Sequence, residues 1–189
     1  MIIKHYELKN NLKKKVNYYL FYGQNTGLIE EKINNDLKPI FSKNIFQYDE
    51  TEVIADPDSF REKIINKSFF ENDKLIIINR VTDKILELIN EISLFKDESI
   101  KIILKANILE KKSKLRSFFE KSKDLIVVAF YEDNHQSLLS LAQKFFQEND
   151  IKISTQNINY IVEKSRKNRI SLRNELEKIK NFSVNKSSI

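Results

Sequence analysis

Five short, nearly unbroken apolar runs recur along the chain, and between them the apolar positions fall at helical spacing. The runs are residues 18–22, 44–48, 74–79, 100–104 and 125–130. Leu75-Ile76-Ile77-Ile78 shows the habit most plainly: four apolar residues without alternation predict a strand buried on both faces, as in a parallel sheet. Residues 4–14 are polar and lysine-rich and predict a short helix. After the first strand, Leu28, Ile29, Ile33, Leu37 and Phe41 repeat at helical spacing over 27–41, with Pro39 closing the regular part. Asp56-Pro57-Asp58 opens a helix to about Asn66, because the carboxylate can cap and proline lacks only a donor that the first turn does not need. Its inward side chains are Phe60, Ile64 and Ile65. Residues 82–95, with Ile85, Leu88, Ile89 and Ile92, and residues 110–121 supply two more helices.

Strands alternating with helices imply a five-stranded parallel α/β sheet with crossover connections. After Tyr131 the pattern changes: no further strand is predicted, only helical stretches over 134–149, 154–165 and 170–182. Asn149-Asp150 and Arg166-Lys167-Asn168 mark the connections. The predicted organisation is an α/β domain over residues 1–132 and a small three-helix domain over 133–189.

Composition narrows the chemistry. The 189 residues are 41% hydrophobic and 32% charged, the balance of a soluble globular protein, and suffice for one sizeable core plus a small satellite. There is no cysteine, which removes disulfides, thiolate metal sites and cysteine nucleophiles and fits a reducing cytoplasm. His5 and His135 open separate helical stretches and read as polar surface residues, so no metal site is expected. The formal charge of +6 is carried mostly by lysine. It could mark a nucleic-acid surface, but Lys, Asn and Ile are abundant throughout while Gly and Pro are scarce, which is a general bias in composition. No apolar run approaches a membrane span and no signal peptide opens the chain, so no membrane association is expected.

The two glycines of the chain, Gly23 and Gly27, sit in Tyr22-Gly23-Gln24-Asn25-Thr26-Gly27-Leu28-Ile29, between the first strand and its helix. That is the context of a phosphate-binding loop. A working loop has four residues between its glycines, then a lysine for the phosphates and a hydroxyl for Mg²⁺. Here three residues intervene, and Leu28 and Ile29 stand in the lysine and hydroxyl places, so the loop is expected not to bind nucleotide. The third strand ends Ile78-Asn79-Arg80, without the carboxylate that would help hold magnesium. Asp49-Glu50 and Glu132-Asp133 follow other strands and read as solvated turns. No cofactor and no catalytic residue are expected.

Three phenylalanine pairs stand out. Phe118-Phe119 and Phe145-Phe146 lie inside helices and read as core. Ser68-Phe69-Phe70 lies in a connection, where a scaffold presents binding groups and aromatics serve as interface anchors. Near the end, Ser171 is read as the cap of the last helix, with Leu172, Leu176 and Ile179 inward and Arg173 solvated.

Taken in order, these segments resemble the delta subunit of the bacterial DNA polymerase III clamp loader. The matching pieces are Tyr19-Leu20-Phe21-Tyr22-Gly23 with Leu28-Ile29-Glu30-Glu31, and Ser68-Phe69-Phe70 before the third strand. Lys112-Ser113-Lys114-Leu115 with Phe118-Phe119-Glu120, and Leu172-Arg173-Asn174-Glu175-Leu176-Glu177-Lys178, complete them. The resemblance implies an AAA+-like module that no longer binds nucleotide, followed by a helical lid. It implies a part of the polymerase holoenzyme that binds and opens the sliding clamp during DNA replication, without catalysis of its own. Ser68, Phe69 and Phe70 would engage the clamp, with phenylalanine at 69 where leucine is common in the family. Arg173 would hold the place of the lid arginine that senses phosphate. The expected partners are the sliding clamp, the other loader subunits and, through them, DNA. Family members continue into a helical collar through which the loader assembles, so the chain reads as truncated at Ile189 and impaired in assembly.

Two other readings remain open at this level. One is a nucleotide-dependent P-loop enzyme with an atypical loop, opposed by Leu28, Ile29 and Asn79. The other is a basic helical DNA-binding module over 133–189, which would bind duplex with strong salt dependence.

Overall fold

Each long apolar run becomes a strand, and in all but the second of them alternate side chains enter two separate cores. The protein is described from a computed structural model over residues 1–12, 16–40, 44–65, 73–94, 97 and 99–183. Its elements, in order, begin with β1 (Ile2–Ile3), a 3₁₀ turn and α1 (Leu8–Asn11), then β2 (Tyr18–Gly23) and α2 (Thr26–Lys32). They continue through β3 (Ile45–Asp49), α3 (Glu50–Ala55), α4 (Pro57–Ile65), β4 (Lys74–Asn79) and α5 (Leu86–Ile92). Then come β5 (Ile100–Ala106), α6 (Lys114–Lys121) and β6 (Leu125–Phe130). Three helices follow: α7 (His135–Glu148), α8 (Thr155–Lys164) and α9 (Arg169–Ser183).

The six strands form one parallel sheet in the order β1-β6-β2-β5-β4-β3. Along β2, Tyr18, Leu20 and Tyr22 enter a core with α3 to α6, while Tyr19 and Phe21 enter another with α1 and α2. The same alternation divides Ile76 and Ile78 from Leu75 and Ile77 on β4. Layers on both faces explain why the strands read as continuous apolar runs rather than alternating ones.

The sheet has six strands where the sequence predicts five. Ile2–Ile3 pairs with Val127 and Val128 at the edge beside β6. Two residues carry no readable period. The strand is held by tertiary contacts: the terminal amine donates to Ser122 O at 2.6 Å, and Val127 N donates to Met1 O at 3.0 Å. Desolvation lowers the pKa of that amine, against the opposing pull of Asp124.

Other elements differ locally. The helix predicted over 27–41 is α-helical only to Lys32, continues as a π turn over Ile33–Leu37, and ends in a 3₁₀ turn over Lys38–Ile40. Leu28, Ile29, Ile33 and Leu37 stay inward and are buried, and Phe41 lies outside the described residues. The helix α3, absent from the sequence reading, starts directly at the end of β3, where the Glu52 carboxylate accepts from Asp49 N at 2.8 Å. Before α5, Asp83 reaches across to the start of α6. Its carboxylate accepts from the Ser113 hydroxyl at 2.6 Å and from Lys114 N and Leu115 N at 3.0 Å. Desolvation pushes the Asp83 pKa upward, but those hydrogen bonds and the Lys114 charge win, and the group is held below its ordinary value.

By compactness the chain divides between Phe130 and Tyr131, two residues before the boundary expected from the change in pattern. The second unit has its own core of Leu138, Ala142, Phe145, Phe146, Ile158, Val162, Leu172 and Leu176. Phe145 and Phe146 are both buried, and so is Phe119, while Phe118 packs at the margin of the sheet core. Asp133 is no solvated turn: its carboxylate, 6% exposed, pairs with Arg169 at 2.8 Å and accepts from the Ser137 hydroxyl at 2.8 Å. It ties the start of the unit to the start of α9. The cap of α9 is Asn168 rather than Ser171, whose backbone N–H donates to Asn168 Oδ1 at 2.9 Å.

Candidate functional site

In an open α/β sheet, ligands bind beyond the carboxyl ends of the strands, where the strand order reverses. In this sheet that place is the end of β2, at Gly23. Gly23 has φ +135°, and a Cβ there would lie 2.1 Å from the backbone oxygen of Phe130. No other residue fits without moving β6. The turn is stitched to both neighbouring strands: Gly23 N donates to Asn107 O at 3.1 Å and Asn25 N donates to Phe130 O at 3.3 Å.

A phosphate-binding loop leaves the first N–H groups of the following helix for the ligand. Here the chain takes one itself. Asn25 is the N-cap of α2, and its Oδ1 accepts from Leu28 N at 3.0 Å while the residue is only 7% exposed. Asn25 O also accepts from Ile29 N at 3.1 Å. Leu28 and Ile29, in the lysine and hydroxyl places, are buried with Phe21, Val128 and Phe130. Gly27 is the second residue of α2, and Gly23 is the glycine with positive φ. On the solvent side of the helix, Glu30 pairs with Lys105 of β5.

The end of β4 is occupied in a similar way. Asn79 Nδ2 donates to Tyr48 O at 3.2 Å, and Arg80, with φ +56°, pairs with Asp49 at 2.5 Å. Glu50 is buried rather than solvated, and it accepts from Thr82 N at 2.6 Å and from the Thr82 hydroxyl at 2.9 Å. Asp49 and Glu50 therefore brace the ends of β3 and β4. Burial raises the Tyr18 and Tyr19 pKa values to about 12, and their hydroxyls donate to Ile92 O and Val16 O. These are structural phenols, not acid–base groups.

Ser68, Phe69 and Phe70 lie outside the described residues. The elements that carry the segment are α4 and β4. Against α4 lies a cleft of about 390 Å³, where Tyr48 and Phe60 meet edge to face at 5.4 Å and Lys63 stands 5.6 Å over the Tyr48 ring. Its two carboxylates are engaged as caps, Glu52 at Asp49 and Asp56 at Ser59 N, 3.0 Å away. Arg173 is half-buried on α9. Among the described residues no three His, Cys, Asp or Glu side chains are grouped to hold a metal, and no helix is long and apolar enough to cross a membrane.

Sequence reasoning located the altered glycine loop but missed Asn25. The signal was present, since asparagine directly before a helix is a strong N-cap. It also missed Glu50 and Asp133 as buried acceptors. Their partners, Thr82 and Arg169, lie 32 and 36 residues away in the chain.

No protein-family model matches the chain, and no curated protein sequence does either. Solved structures do. The Bacillus subtilis DNA clamp loader delta protein is similar over 98% of this chain and 59% of its own, with a TM-score of 0.60 and 17% identity. Domain III of the Thermotoga maritima replication initiation protein DnaA is similar over 98% and 85%, with a TM-score of 0.57 and 15% identity. The Thermotoga maritima RuvB Holliday junction branch migration motor is similar over 95% and 60%, with a TM-score of 0.60 and 14% identity. The chain thus spans about three-fifths of the delta protein it matches. At these identities the likeness establishes the fold alone: a parallel sheet layered by helices, with a helical unit after it in the chain.

Proposed function

We propose that this chain acts as a clamp-loader delta subunit, binding and opening a sliding clamp in DNA replication without using nucleotide itself. The observation that carries the reading is the closed glycine turn in an AAA+ fold: Asn25 caps α2, and Leu28 and Ile29 are buried. Such a module retains the scaffold of a motor while lacking the groups that hold phosphate and magnesium. A subunit that works by binding fits this state better than an enzyme does. The likeness to a clamp loader delta protein across nearly the whole chain supports the same choice. The clamp-binding element is Ser68-Phe69-Phe70, between α4 and β4, with the two phenylalanines as anchors in an apolar pocket of the clamp. The further partners are the other loader subunits and, through them, DNA.

The test is a direct binding measurement against the sliding clamp, with thermal unfolding of the same samples. Replacing Phe69 and Phe70 together by alanine should weaken clamp binding by about 2–4 kcal/mol, as for a hot-spot pair, and leave melting nearly unchanged. Unaltered clamp binding would refute the assignment. A large fall in melting temperature would place the pair in the core. Calorimetric titration with ATP and Mg²⁺ should give no saturable heat at millimolar nucleotide, and micromolar binding would overturn the nucleotide-free reading.

A further inference from the structure

The turn between α8 and α9 holds two cationic residues in a conformation that L-residues avoid. Arg166 has φ +50° and Lys167 φ +60°, one directly after the other. Left-handed positions of this kind usually take glycine or asparagine. Asn168 stands one place later, but its side chain is engaged as the cap of α9. The turn is nonetheless firmly held. Ser165 is buried and its hydroxyl donates to Val162 O at 2.6 Å, Arg166 N donates to Glu163 O at 3.1 Å, and Asn168 N donates to Ser165 O at 2.9 Å.

The consequence is a fixed, exposed cluster of one sign. From Lys164 to Arg173 the chain carries five cations and no carboxylate. Arg169 is drawn away by Asp133. Lys164, Arg166 and Lys167 are exposed and make no ion pair among the described residues. Lys164 lies 5.2 Å over the ring of Tyr160, itself 59% exposed. Gln156, Tyr160 and Lys164 succeed one another at four-residue spacing, so an amide, an aromatic and a cation share one exposed face of α8. Glu163 is the one carboxylate of α8.

We infer that this turn is a nucleic-acid contact, in which Lys164, Arg166 and Lys167 hold the phosphodiester backbone of a DNA duplex. Backbone strain at a rigid surface turn marks a conformation kept for what it presents. What is presented here is three cations with no ion pair among the described residues, suited to a repeating array of phosphates. The Tyr160 face is occupied by the Lys164 ammonium, so the surface offers charge rather than a stacking platform, which favours duplex over single strand. The inference uses only residues of the helical unit and stands independently of the clamp-binding proposal.

The decisive variant is Arg166→Gly with Lys167→Gly in the full chain. It removes two cations and at the same time supplies the residue that the backbone prefers. Fluorescence anisotropy with a labelled 30-base-pair duplex should show affinity falling about tenfold near 0.1 M salt, and the slope of log affinity against log salt shrinking by about 2. The melting temperature should hold or rise. Exchanging the charges, Arg166→Lys with Lys167→Arg, should keep both affinity and slope. Absence of duplex binding by the parent chain would overturn the inference, as would unchanged affinity in the glycine variant. Equal competition by polyglutamate, or tighter binding of the matching single strand than of the duplex, would overturn it as well. An affinity loss accompanied by a falling melting temperature would assign the pair to the fold alone.

Discussion

Of the turns that place described residues at positive φ, two solve the problem in opposite ways. At the end of β2 the residue is Gly23, one of only two glycines in 189 residues. At the end of α8 the residues are Arg166 and Lys167. The difference lies in what surrounds each turn. A Cβ at position 23 would meet the Phe130 carbonyl at 2.1 Å, inside the sheet, where nothing can yield. Around 166 and 167 the side chains point into solvent, so the cost is torsional strain alone. In a chain with only two glycines, Gly23 stands where a neighbouring backbone forbids anything larger.

Substitutions can break or sharpen this contrast. The largest effect is expected for Gly23→Ala, which combines overpacking with an unfavourable φ and should cost about 3 kcal/mol or more of stability. Denaturant titration measures it, and a loss below about 1 kcal/mol would show that β6 can give way. Next is Asn25→Ala, which leaves the buried Leu28 N–H without its acceptor and should cost about 1–2 kcal/mol. That variant should still show no calorimetric heat with ATP, because Leu28 and Ile29 remain in the core. In the other turn, the Arg166→Gly, Lys167→Gly pair should gain up to about 1 kcal/mol as strain is released. A loss instead would mean that the two side chains stabilise the turn by contacts of their own. The smallest effect is Gly27→Ala. As the second residue of α2 it needs no special φ, and alanine should stabilise by about 0.5 kcal/mol, opposite in sign to Gly23→Ala. The two glycines of one loop would then be separated experimentally into the one the fold requires and the one it does not.

The helical unit and the α/β unit also differ in how legible they were. Its three helices were expected over 134–149, 154–165 and 170–182, and the structure places them at His135–Glu148, Thr155–Lys164 and Arg169–Ser183 around a core of their own. Yet of the pair that ties its beginning to α9, Asp133 with Arg169, the acid read as part of a solvated turn and the arginine gave no signal. Charge alone does not reveal whether a carboxylate faces water or a partner brought in from far along the chain.

What the sequence determined by itself was local. Apolar runs of four to six residues made strands, since both faces of a parallel sheet are covered, and helical spacing marked the layers on each side. The absence of lysine and hydroxyl at 28 and 29 was legible because the chemistry of a phosphate loop depends on residue type at fixed spacing. What only the tertiary structure decided was who meets whom. Ile2–Ile3 becomes a strand because β6 leaves an edge open to it. Gly23 is obligatory because Phe130 crosses beside it. Glu50 is buried because Thr82 arrives to donate two hydrogen bonds. Period and propensity are written within a few residues, whereas a contact between distant residues exists only once the chain has crossed itself.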